Sequence, residues 1–292
     1  MVAWIIYFQE NAELNSQYIK LYIEEGRKLD IDVRLILVES LEFGVKQNQL
    51  FVKYQNNEIE MPDFVICRAI YPLLSKHLEL MGIRVFNNSV ISEICNDKAK
   101  THQYVAKAGI KMVDSSFYKN FQVKDTVSHV TQPTIVKAVA GHGGKQVYLL
   151  NPAEDTVLNV DCSKVIRGLA GSDAVVQPFT GSRHQDLRVY VLGKEIVAAV
   201  LRTAKEGFKS NFSLGGEVAL YYLTEEEKQT VNRIIKLFDF DLVGIDFLLG
   251  EQGELIFNEI EDVVGARMLY KCSAINIVEM YLKYMRNCID GI

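Results

Sequence analysis

Hydrophobic segments along the chain follow two alternating patterns. Short apolar runs bounded by turn residues are typical of strands, and they occur at 2–8, 33–38, 63–68 and 83–87. Between the first two runs, Tyr18, Leu21 and Tyr22 have the spacing of one helix face within 15–29. Strands that alternate with helices indicate an α/β protein, so we expect a small open sheet with helices that ends near residue 96.

The remainder of the chain continues the alternation. A helix is predicted between a cap at Asn96 or Asp97 and a stop at Gly109, and a second between the Thr224 capping box and Phe238. The other predicted elements are a strand, glycine loop and strand at 134–150, a strand at 174–179, hairpins at 186–202 and 243–261, and a final helix at 274–287. We therefore expect α+β subdomains after the first sheet.

Composition and charge limit the number of domains and exclude several classes of function. The 292 residues are 49% hydrophobic, which is sufficient for two or three domains, and the net charge of -5 argues against nucleic-acid binding. The five cysteines have no CxxC spacing, so we expect reduced cysteines in a cytoplasmic protein. The first residues, MVAWIIYFQEN, predict a strand rather than a signal peptide. No apolar run reaches the roughly 18 residues that span a bilayer, so we expect no membrane partner.

Three carboxylates fall on an otherwise hydrophobic hairpin. Glu259 and Glu261 are two residues apart and therefore project from the same strand face, and Asp246 on the preceding strand can face them. Clustered carboxylates repel one another unless a cation neutralises them, and oxygen ligands suit Mg²⁺ or Mn²⁺. The sequence predicts a metal site, with an exposed, charged strand face as the alternative.

A glycine loop follows a lysine in an apolar strand. Gly141, His142, Gly143 and Gly144 lack the spacing of a P-loop or a dinucleotide fingerprint, but such a loop can place N–H groups over phosphates. A plain β-turn, with His142 as an ordinary polar loop residue, is the alternative. Lys137 favours the first reading, because a buried lysine needs an anionic partner and a nucleotide phosphate would supply one.

A polar and basic segment follows the next hairpin strand. Asp186 and Arg188 share one face of a strand, and Arg202 ends its partner strand. The residues that follow, RTAKEGFKSN, include Lys209, Ser210 and Asn211. This stretch predicts a basic and polar segment that covers an anionic ligand, and the alternative is a solvated surface loop.

Taken together, five stretches resemble the ATP-grasp superfamily and, within it, the RimK-type carboxylate–amine ligases. In chain order they are NDKAKTHQYVAKAGI, TIVKAVAGHGGKQV, VVQPFTGSRHQDLRVYVLGKEIVAAVLRTAKEGFKSNFSLGG, VGIDFLL and IFNEIE. The match covers about residues 90–270. The resemblance implies an N-terminal pre-ATP-grasp domain at 1–96, a central ATP-grasp subdomain with the glycine-rich loop at 97–179, and a C-terminal subdomain with the metal site at 180–292.

The resemblance also implies a role for individual residues, carried over by position. Lys137 would contact the α- and β-phosphates of ATP. The other residues implied to hold the nucleotide are Gln177, Pro178 and Phe179 beside adenine, Asp186 near the ribose, and Lys209, Ser210 and Asn211 along the nucleotide. Those implied at the reacting groups are Arg188 and Arg202 at the acyl phosphate or the acid, and Asp246, Glu259 and Glu261 at Mg²⁺.

Three positions depart from the family pattern. The hinge often has a carboxylate where Gln177 stands, and the last metal ligand is usually Asn where Glu261 stands. After the metal residues the family commonly continues with Asn-x-x-Pro-Gly, whereas this chain reads EDVVGARMLY and places Arg267 there. An arginine in this segment suggests an anionic substrate, and a surface arginine is the alternative.

The resemblance predicts an ATP-dependent ligase that joins a small carboxylic acid to an amine through an acyl phosphate. The acid is expected to be an amino acid or peptide, and the amine to belong to an amino acid, a peptide or a protein acceptor. Family members often form dimers or tetramers, which leaves a homo-oligomer open. The alternatives are a catalytically silent ATP-binding sensor or scaffold and another ATP-grasp chemistry.

Overall fold

A computed structural model of the chain describes residues 1–143, 146–151, 160–180, 185–203 and 217–291. In chain order its strands are β1 Val2–Tyr7, β2 Asp32–Leu37, β3 Leu41–Lys46, β4 Gln49–Tyr54, β5 Asn57–Glu58, β6 Phe64–Cys67, β7 Arg84–Phe86, β8 Ser116–Tyr118, β9 Thr134–Ala138, β10 Val147–Leu150, β11 Ala174–Pro178, β12 Gln185–Leu192, β13 Glu195–Thr203, β14 Glu217–Tyr221, β15 Leu242–Leu249 and β16 Leu255–Glu261. Its helices are α1 Gln9–Leu14, α2 Ser16–Lys28, α3 Pro72–Leu80, α4 Ser89–Cys95, α5 Lys98–Lys107, α6 Asn120–Ser128, α7 Val160–Gly168, α8 Glu225–Ile235, α9 Arg267–Cys272 and α10 Ile277–Asp290.

The chain divides into two compact units. The first unit contains Met1–Glu93, Phe240–Val243 and Asp262–Ile292, and the second contains Ile94–Asp239 and Gly244–Glu261. The three-part division implied by the resemblance stays a prediction.

The first unit is built on a parallel sheet in the order β2-β1-β6-β7. Its two central strands are apolar along nearly their whole length, and residues such as Trp4, Ile6 and Val65 are fully buried. Strands of this kind need cover on both faces, which explains why they read as continuous hydrophobic runs in the sequence. The four predicted strands of this region correspond to β1, β2, β6 and β7.

A three-stranded antiparallel sheet, β3-β4-β5, also lies in the first unit and was missed by the sequence analysis. Its two turns are both Gln-Asn pairs, and Gln47, Asn48, Gln55 and Asn56 all have positive φ angles between 50° and 64°. Two consecutive residues with positive φ form the turn that suits a two-residue hairpin. The usual Asn-Gly signal is absent, and this is why the pattern was not recognised.

Asn87 joins three separate parts of the chain within the first unit. Its Nδ2 donates to the carbonyl of Leu242 and to the carboxylate of Asp262, both at 2.8 Å, and its Oδ1 accepts from the N–H of Asp241 at 2.7 Å. The side chain is only 4% exposed. One amide therefore satisfies several buried polar groups of segments that are more than 150 residues away in sequence.

The second unit contains two sheets. One has four strands in the order β10-β9-β11-β8, and the other has five in the order β14-β13-β12-β15-β16. Strands β12 and β15 in the five-stranded sheet are almost entirely buried. The predicted hairpins correspond to β12–β13 and β15–β16, each of which pairs antiparallel.

The capping residues predicted for two helices form caps in the structure. The carboxylate of Asp97 accepts from the N–H of Lys100 at 2.9 Å at the start of α5, and Gly109 follows this helix with a φ of 67°. Thr224 and Glu227 form the predicted capping box of α8. Within the described residues, none of the helices has the length and apolar character that a bilayer crossing needs.

We predict that Asn87→Ala strongly destabilises the first unit, because the substitution leaves buried polar groups of two distant segments without partners. The expected loss is more than about 2 kcal/mol in the free energy of unfolding, measured by urea denaturation followed by circular dichroism. Asn57→Ala, on an exposed hairpin, is the matched control and should change stability by less than about 0.5 kcal/mol. Equal midpoints for the two variants would show that Asn87 does not hold these segments.

Candidate active site

Strand pairing brings the three predicted metal ligands together in the second unit. Strands β15 and β16 pair so that Asp246 lies opposite Glu259 and Gly244 lies opposite Glu261. One carboxylate oxygen from each of Asp246, Glu259 and Glu261 lies within 4.8 Å of the other two. Asp246 is only 1% exposed. The prediction that these acids face one another is therefore met by the geometry.

Two arginines neutralise the buried end of this cluster. Arg188 binds both oxygens of Asp246, each at 2.7 Å, and its third nitrogen pairs with Glu261 at 2.7 Å. Arg202 pairs with the same carboxylate of Asp246 at 2.7 Å and donates to Asp186. These contacts follow from the hairpin register, in which Asp186 lies directly opposite Arg202 on the neighbouring strand.

Two lysines approach the other end of the cluster. The ammonium group of Lys98, at the first turn of α5, pairs with Glu259 at 3.0 Å and donates to the carbonyl of Gly141. Lys137 on β9 donates to the side-chain carbonyl of Asn258 at 2.9 Å. Burial lowers the pKa of Lys137 to about 8, because the favourable effect of Glu259 does not compensate for desolvation. Lys137 is therefore a half-buried cation whose own hydrogen-bond partner is neutral.

The pKa values of the three acids are shifted in different directions. Burial alone would raise the pKa of Asp246, but the guanidinium groups of Arg188 and Arg202 outweigh it and hold the pKa at about 2. Burial also opposes ionisation of Glu259, yet Lys98 keeps its pKa below the usual value. Glu261 has a raised pKa, because burial and the charges of the two neighbouring acids exceed the attraction of Arg188. The acid that departs from the family pattern is thus the most reluctant to ionise.

Cations of the chain itself lie against the acids of the cluster. Among the described residues, Arg188, Arg202 and Lys98 pair with Asp186, Asp246, Glu259 and Glu261, and the charge of Lys137 helps to lower the pKa of Glu259. These cations offset repulsion between the acids without a divalent ion. The donor set still suits Mg²⁺, since its ligands are all carboxylate oxygens and lie close enough to reach one ion. The residues that would hold Mg²⁺ are Asp246, Glu259 and Glu261.

A polar network fixes the end of β11 and the start of the predicted hinge. Gln177 is 4% exposed and donates to the hydroxyl of Ser115 at 2.8 Å. The ring of His102 contacts the same hydroxyl at 3.2 Å and the carbonyl of Asn258 at 2.9 Å. Pro178 lies opposite Thr134 on β9. The backbone N–H of Phe179 donates to the carbonyl of Pro133 at 2.8 Å, which continues the strand pairing.

The glycine loop lies next to the lysines. Gly141 is buried, and a side chain there would meet Ala138 and Gln146 at 3.2 Å, so its lack of a side chain permits a close approach of the backbone. His142 is exposed, and Gly143 has a φ of 62°. Four predicted nucleotide-binding residues lie outside the described residues, namely Gly144, Lys209, Ser210 and Asn211.

Arg267 does not belong to this group of residues. It is exposed, lies in the first unit at the start of α9, and donates to the carbonyl of Leu14 at 3.0 Å and to the side chain of Asn15 at 3.2 Å. These contacts join α9 to the junction of α1 and α2. Its predicted contact with substrate stays a prediction.

The sequence analysis missed three residues of this site. Lys98 directly follows the Asp97 cap, and the pair Asp97–Lys98 at the start of α5 was the available signal. Asn258 immediately precedes Glu259, and its side chain holds Lys137. His102 is only 2% exposed and lies on a helix whose first turn carries Lys98. Helical spacing of four residues places Lys98 and His102 on the same face of α5.

A comparison with protein families assigns the chain. The model of the RimK-like ATP-grasp domain matches residues 95–285, well over half of the sequence. The chain therefore belongs to the RimK-like ATP-grasp family. The predictions of this family, of the ATP-grasp fold and of an ATP-dependent ligase are confirmed.

The chain is similar in sequence to two named proteins and in structure to one solved ATP-grasp ligase. The chain is 28% identical over 277 residues to β-citrylglutamate synthase B of Homo sapiens, covering 90% of this chain and 70% of that protein. It is 28% identical over 214 residues to a probable α-L-glutamate ligase of Legionella pneumophila strain Corby, covering 72% and 69%. The solved structure of the ATP-grasp ligase PsnB complexed with minimal precursor, Mg and ADP aligns with a TM-score of 0.68 at 16% identity, covering 99% and 97%.

We predict opposite stability effects for two isosteric substitutions in the cluster. Asp246→Asn removes the carboxylate that two buried guanidinium groups share, which leaves one acid for each of them, and it should lower the free energy of unfolding by about 3–5 kcal/mol at pH 7. Glu261→Gln removes an acid whose pKa is raised, so it should stabilise the chain at pH 7 and lose this effect below the ordinary pKa of 4.5.

The pH dependence of Asp246 checks the same analysis. Its folded-state pKa of about 2 lies below the ordinary 3.8, so its stabilisation is complete above pH about 4 and is lost as the pH falls towards 2. Urea denaturation at several pH values, without divalent ions, measures both effects. If Glu261→Gln destabilises the chain as much as Asp246→Asn, the surroundings of Glu261 do not oppose its ionisation.

Proposed function

We propose that this protein is an ATP-dependent carboxylate–amine ligase that acts through an acyl phosphate and releases ADP and phosphate. The observation that carries the proposal is the arrangement in the second unit, where three carboxylates able to hold Mg²⁺ lie beside Lys98, Lys137 and the glycine loop. Membership in the RimK-like ATP-grasp family supports it. The solved relative that contains Mg and ADP supports the choice of cofactors.

The reaction explains why such a site is needed. A carboxylate is a poor electrophile, because its oxygen is a poor leaving group. Transfer of the γ-phosphoryl group of ATP to the carboxylate gives an acyl phosphate and ADP, and an amine then attacks the carbonyl carbon and expels phosphate. The protein contributes positioning and charge neutralisation, and bound Mg²⁺ would neutralise phosphate charge.

Different described residues are proposed to contact the phosphates and the adenine of ATP. Lys137 is the best candidate for an ATP phosphate contact, because it is half-buried and cationic and its hydrogen-bond partner among the described residues is the neutral Asn258. We add Lys98 as a second phosphate contact, since its ammonium group lies between Glu259 and the glycine loop. Gln177, Pro178 and Phe179 remain the proposed adenine contacts.

The arginines have a more specific role in this proposal. The carboxylates of Asp246, Glu261 and Asp186 occupy both guanidinium groups in the structure. We therefore propose that Arg188 and Arg202 chiefly hold the acids of the metal site in position. Their contact with the acyl phosphate or the acid, and that of Asp186 with the ribose, stay predictions.

The substrates are proposed by chemical class. The names of the similar proteins suggest glutamate as one partner and citrate or an amino acid as another. The acceptor amine belongs to an amino acid, a peptide or a protein, and PsnB complexed with its minimal precursor supports a peptide.

The test is phosphate release from the purified chain with Mg-ATP and pooled amino acids, peptides and small acids, followed by mass spectrometry. ADP formation that requires both an acid and an amine, with a product one water lighter than their sum, supports the ligase. Tight ATP binding with no product from any pool supports the silent sensor instead, once a protein acceptor has also been tested by adding a cell extract of peptides.

We predict that Lys137→Met weakens ATP binding by at least tenfold, because it removes a half-buried cation from the proposed phosphate site. Isothermal titration calorimetry with Mg-ATP measures the dissociation constant directly. Lys111→Met is the matched control, since Lys111 forms an exposed ion pair with Glu254 and should leave ATP binding unchanged. Unchanged binding in Lys137→Met would refute the phosphate contact.

We predict that Glu259→Ala abolishes Mg²⁺-dependent turnover, with a decrease in kcat of at least about a hundredfold, because it removes one of three proposed metal ligands. The matched control is Glu195→Ala at the exposed start of β13. Initial rates of ADP release at several Mg²⁺ concentrations provide the measurement. Normal turnover by a folded Glu259→Ala variant would contradict the assignment of the metal site.

A further inference from the structure

The parallel sheet of the first unit has a position where ligands commonly bind. Strand β1 lies in the middle, with β2 on one side and β6 on the other. Successive connections therefore leave β1 and β6 in opposite directions, and the crevice at their carboxyl ends is a topological switch point. β1 ends at Tyr7 and β6 ends at Cys67, so Arg68 is the first residue beyond the second strand at this point.

Arg68 is a buried cation whose partners are all uncharged. It is 8% exposed, and its guanidinium donates to the hydroxyl of Tyr7 at 3.2 Å and to the carbonyls of Val264 at 3.0 Å and Val263 at 3.4 Å. Among the described residues no carboxylate pairs with it. An arginine has five N–H donors, and a buried charge is normally paired. Arg68 therefore has both charge and donors available for an anion.

Two tyrosines beside Arg68 have the same unmet requirement. The guanidinium carbon lies 5.3 Å from the centre of the Tyr18 ring, and the rings of Tyr18 and Tyr22 pack edge to face at 5.2 Å. Both hydroxyl oxygens are buried, Tyr22 is 0% exposed, and the two hydroxyls share at most one hydrogen bond with each other. At least one phenolic O–H therefore has no acceptor among the described residues. Burial raises the pKa of both phenols while Arg68 lowers it, so the hydroxyls stay protonated donors close to the guanidinium. Buried donors that lack an acceptor among the described residues, beside a buried guanidinium without a carboxylate partner there, indicate a site for an acceptor group.

We propose that Arg68, Tyr18 and Tyr22 bind a carboxylate group of one substrate of the ligase. The inference rests on the proposed function and adds a subsite that lies wholly in the first unit. A planar carboxylate can accept two N–H groups of a guanidinium and, on its other lone pairs, the phenolic hydroxyls. It would supply the negative charge that the surroundings of Arg68 lack.

The segment that covers Arg68 gives a role to Arg267. Residues 263 and 264 supply the two carbonyls to Arg68, and Gly265 directly after them is exposed. Arg267 at the end of the segment binds Leu14 and Asn15, directly before the helix that carries both tyrosines. Arg267 is thus a positioning residue that holds the segment against α2.

The first test measures binding without ATP or turnover. The probes are L-glutamate and citrate, with L-glutamine as the matched analogue of glutamate in which an amide replaces one carboxylate. We expect isothermal titration calorimetry of the full chain to detect at least one of the two acids at millimolar concentration. Tyr22→Phe should weaken this binding by about tenfold, which corresponds to loss of one hydrogen bond to a charged group. Arg68→Gln should abolish it.

The controls separate binding from structure. Tyr22→Phe removes a hydroxyl that shares at most one hydrogen bond with Tyr18, so a purely structural role predicts little change in stability and unchanged binding. Tyr284→Phe removes a hydroxyl that donates to Asp241 in the same unit, and it should retain acid binding despite some loss of stability. The absence of binding by both acids to the unmodified chain, or equal affinities in the unmodified chain and Tyr22→Phe, would overturn the proposal.

Turnover distinguishes this proposal from the ligase activity. Once a substrate pair is known, Tyr18→Phe and Tyr22→Phe should raise KM for the carboxylate substrate by about tenfold and leave KM for ATP unchanged. If ligation occurs and both KM values stay the same, the subsite is wrong and the ligase activity stands. If no pair supports ligation but the variants still lose acid binding, the activity is wrong and the subsite stands.

Discussion

The site in the second unit depends on one buried set of ion pairs, in which Asp246 is held by Arg188 and Arg202 at 2.7 Å. Asp246 is buried and Glu259 and Glu261 are half-buried on the same hairpin. Burial of the Asp246 carboxylate would be costly without these cations, because the ion loses its hydration. The hairpin register that places Arg202 opposite Asp186 and Asp246 opposite Glu259 is what permits the pairing. The remaining acids, the lysines and the glycine loop are arranged around this fixed centre.

Charge balance within the chain changes the interpretation of the acidic cluster. Acids that repel one another suggest a metal ion, but here arginines and lysines of the protein itself supply the opposite charges. The carboxylates are therefore already held in position before a metal binds, and this is the kind of preorganisation that electrostatic catalysis requires. The case for Mg²⁺ rests on the oxygen ligands, their spacing and the family, rather than on repulsion.

The two units present contrasting electrostatic situations. In the second unit the carboxylates of the cluster face cations, whereas in the first unit Arg68 contacts carbonyls, a hydroxyl and an aromatic ring but no carboxylate of the described residues. A ligase of this class must hold ATP and an acid, both of which are anions. One unit offers metal ligands and lysines suited to phosphates, and the other offers a guanidinium and phenols suited to a carboxylate.

The family was predictable from the resemblance of five sequence stretches. The alternating α/β elements, the caps at Asp97 and Thr224, and the proximity of Asp246, Glu259 and Glu261 were predictable from the residues, because they depend on local periodicity and on pairing within a short hairpin. The tertiary structure alone decided which cations serve which acids, the roles of Lys98, Asn258 and His102, and the uncharged surroundings of Arg68. These contacts join residues far apart in sequence, as Lys137 with Asn258 or Arg68 with Val264, and no local pattern encodes them.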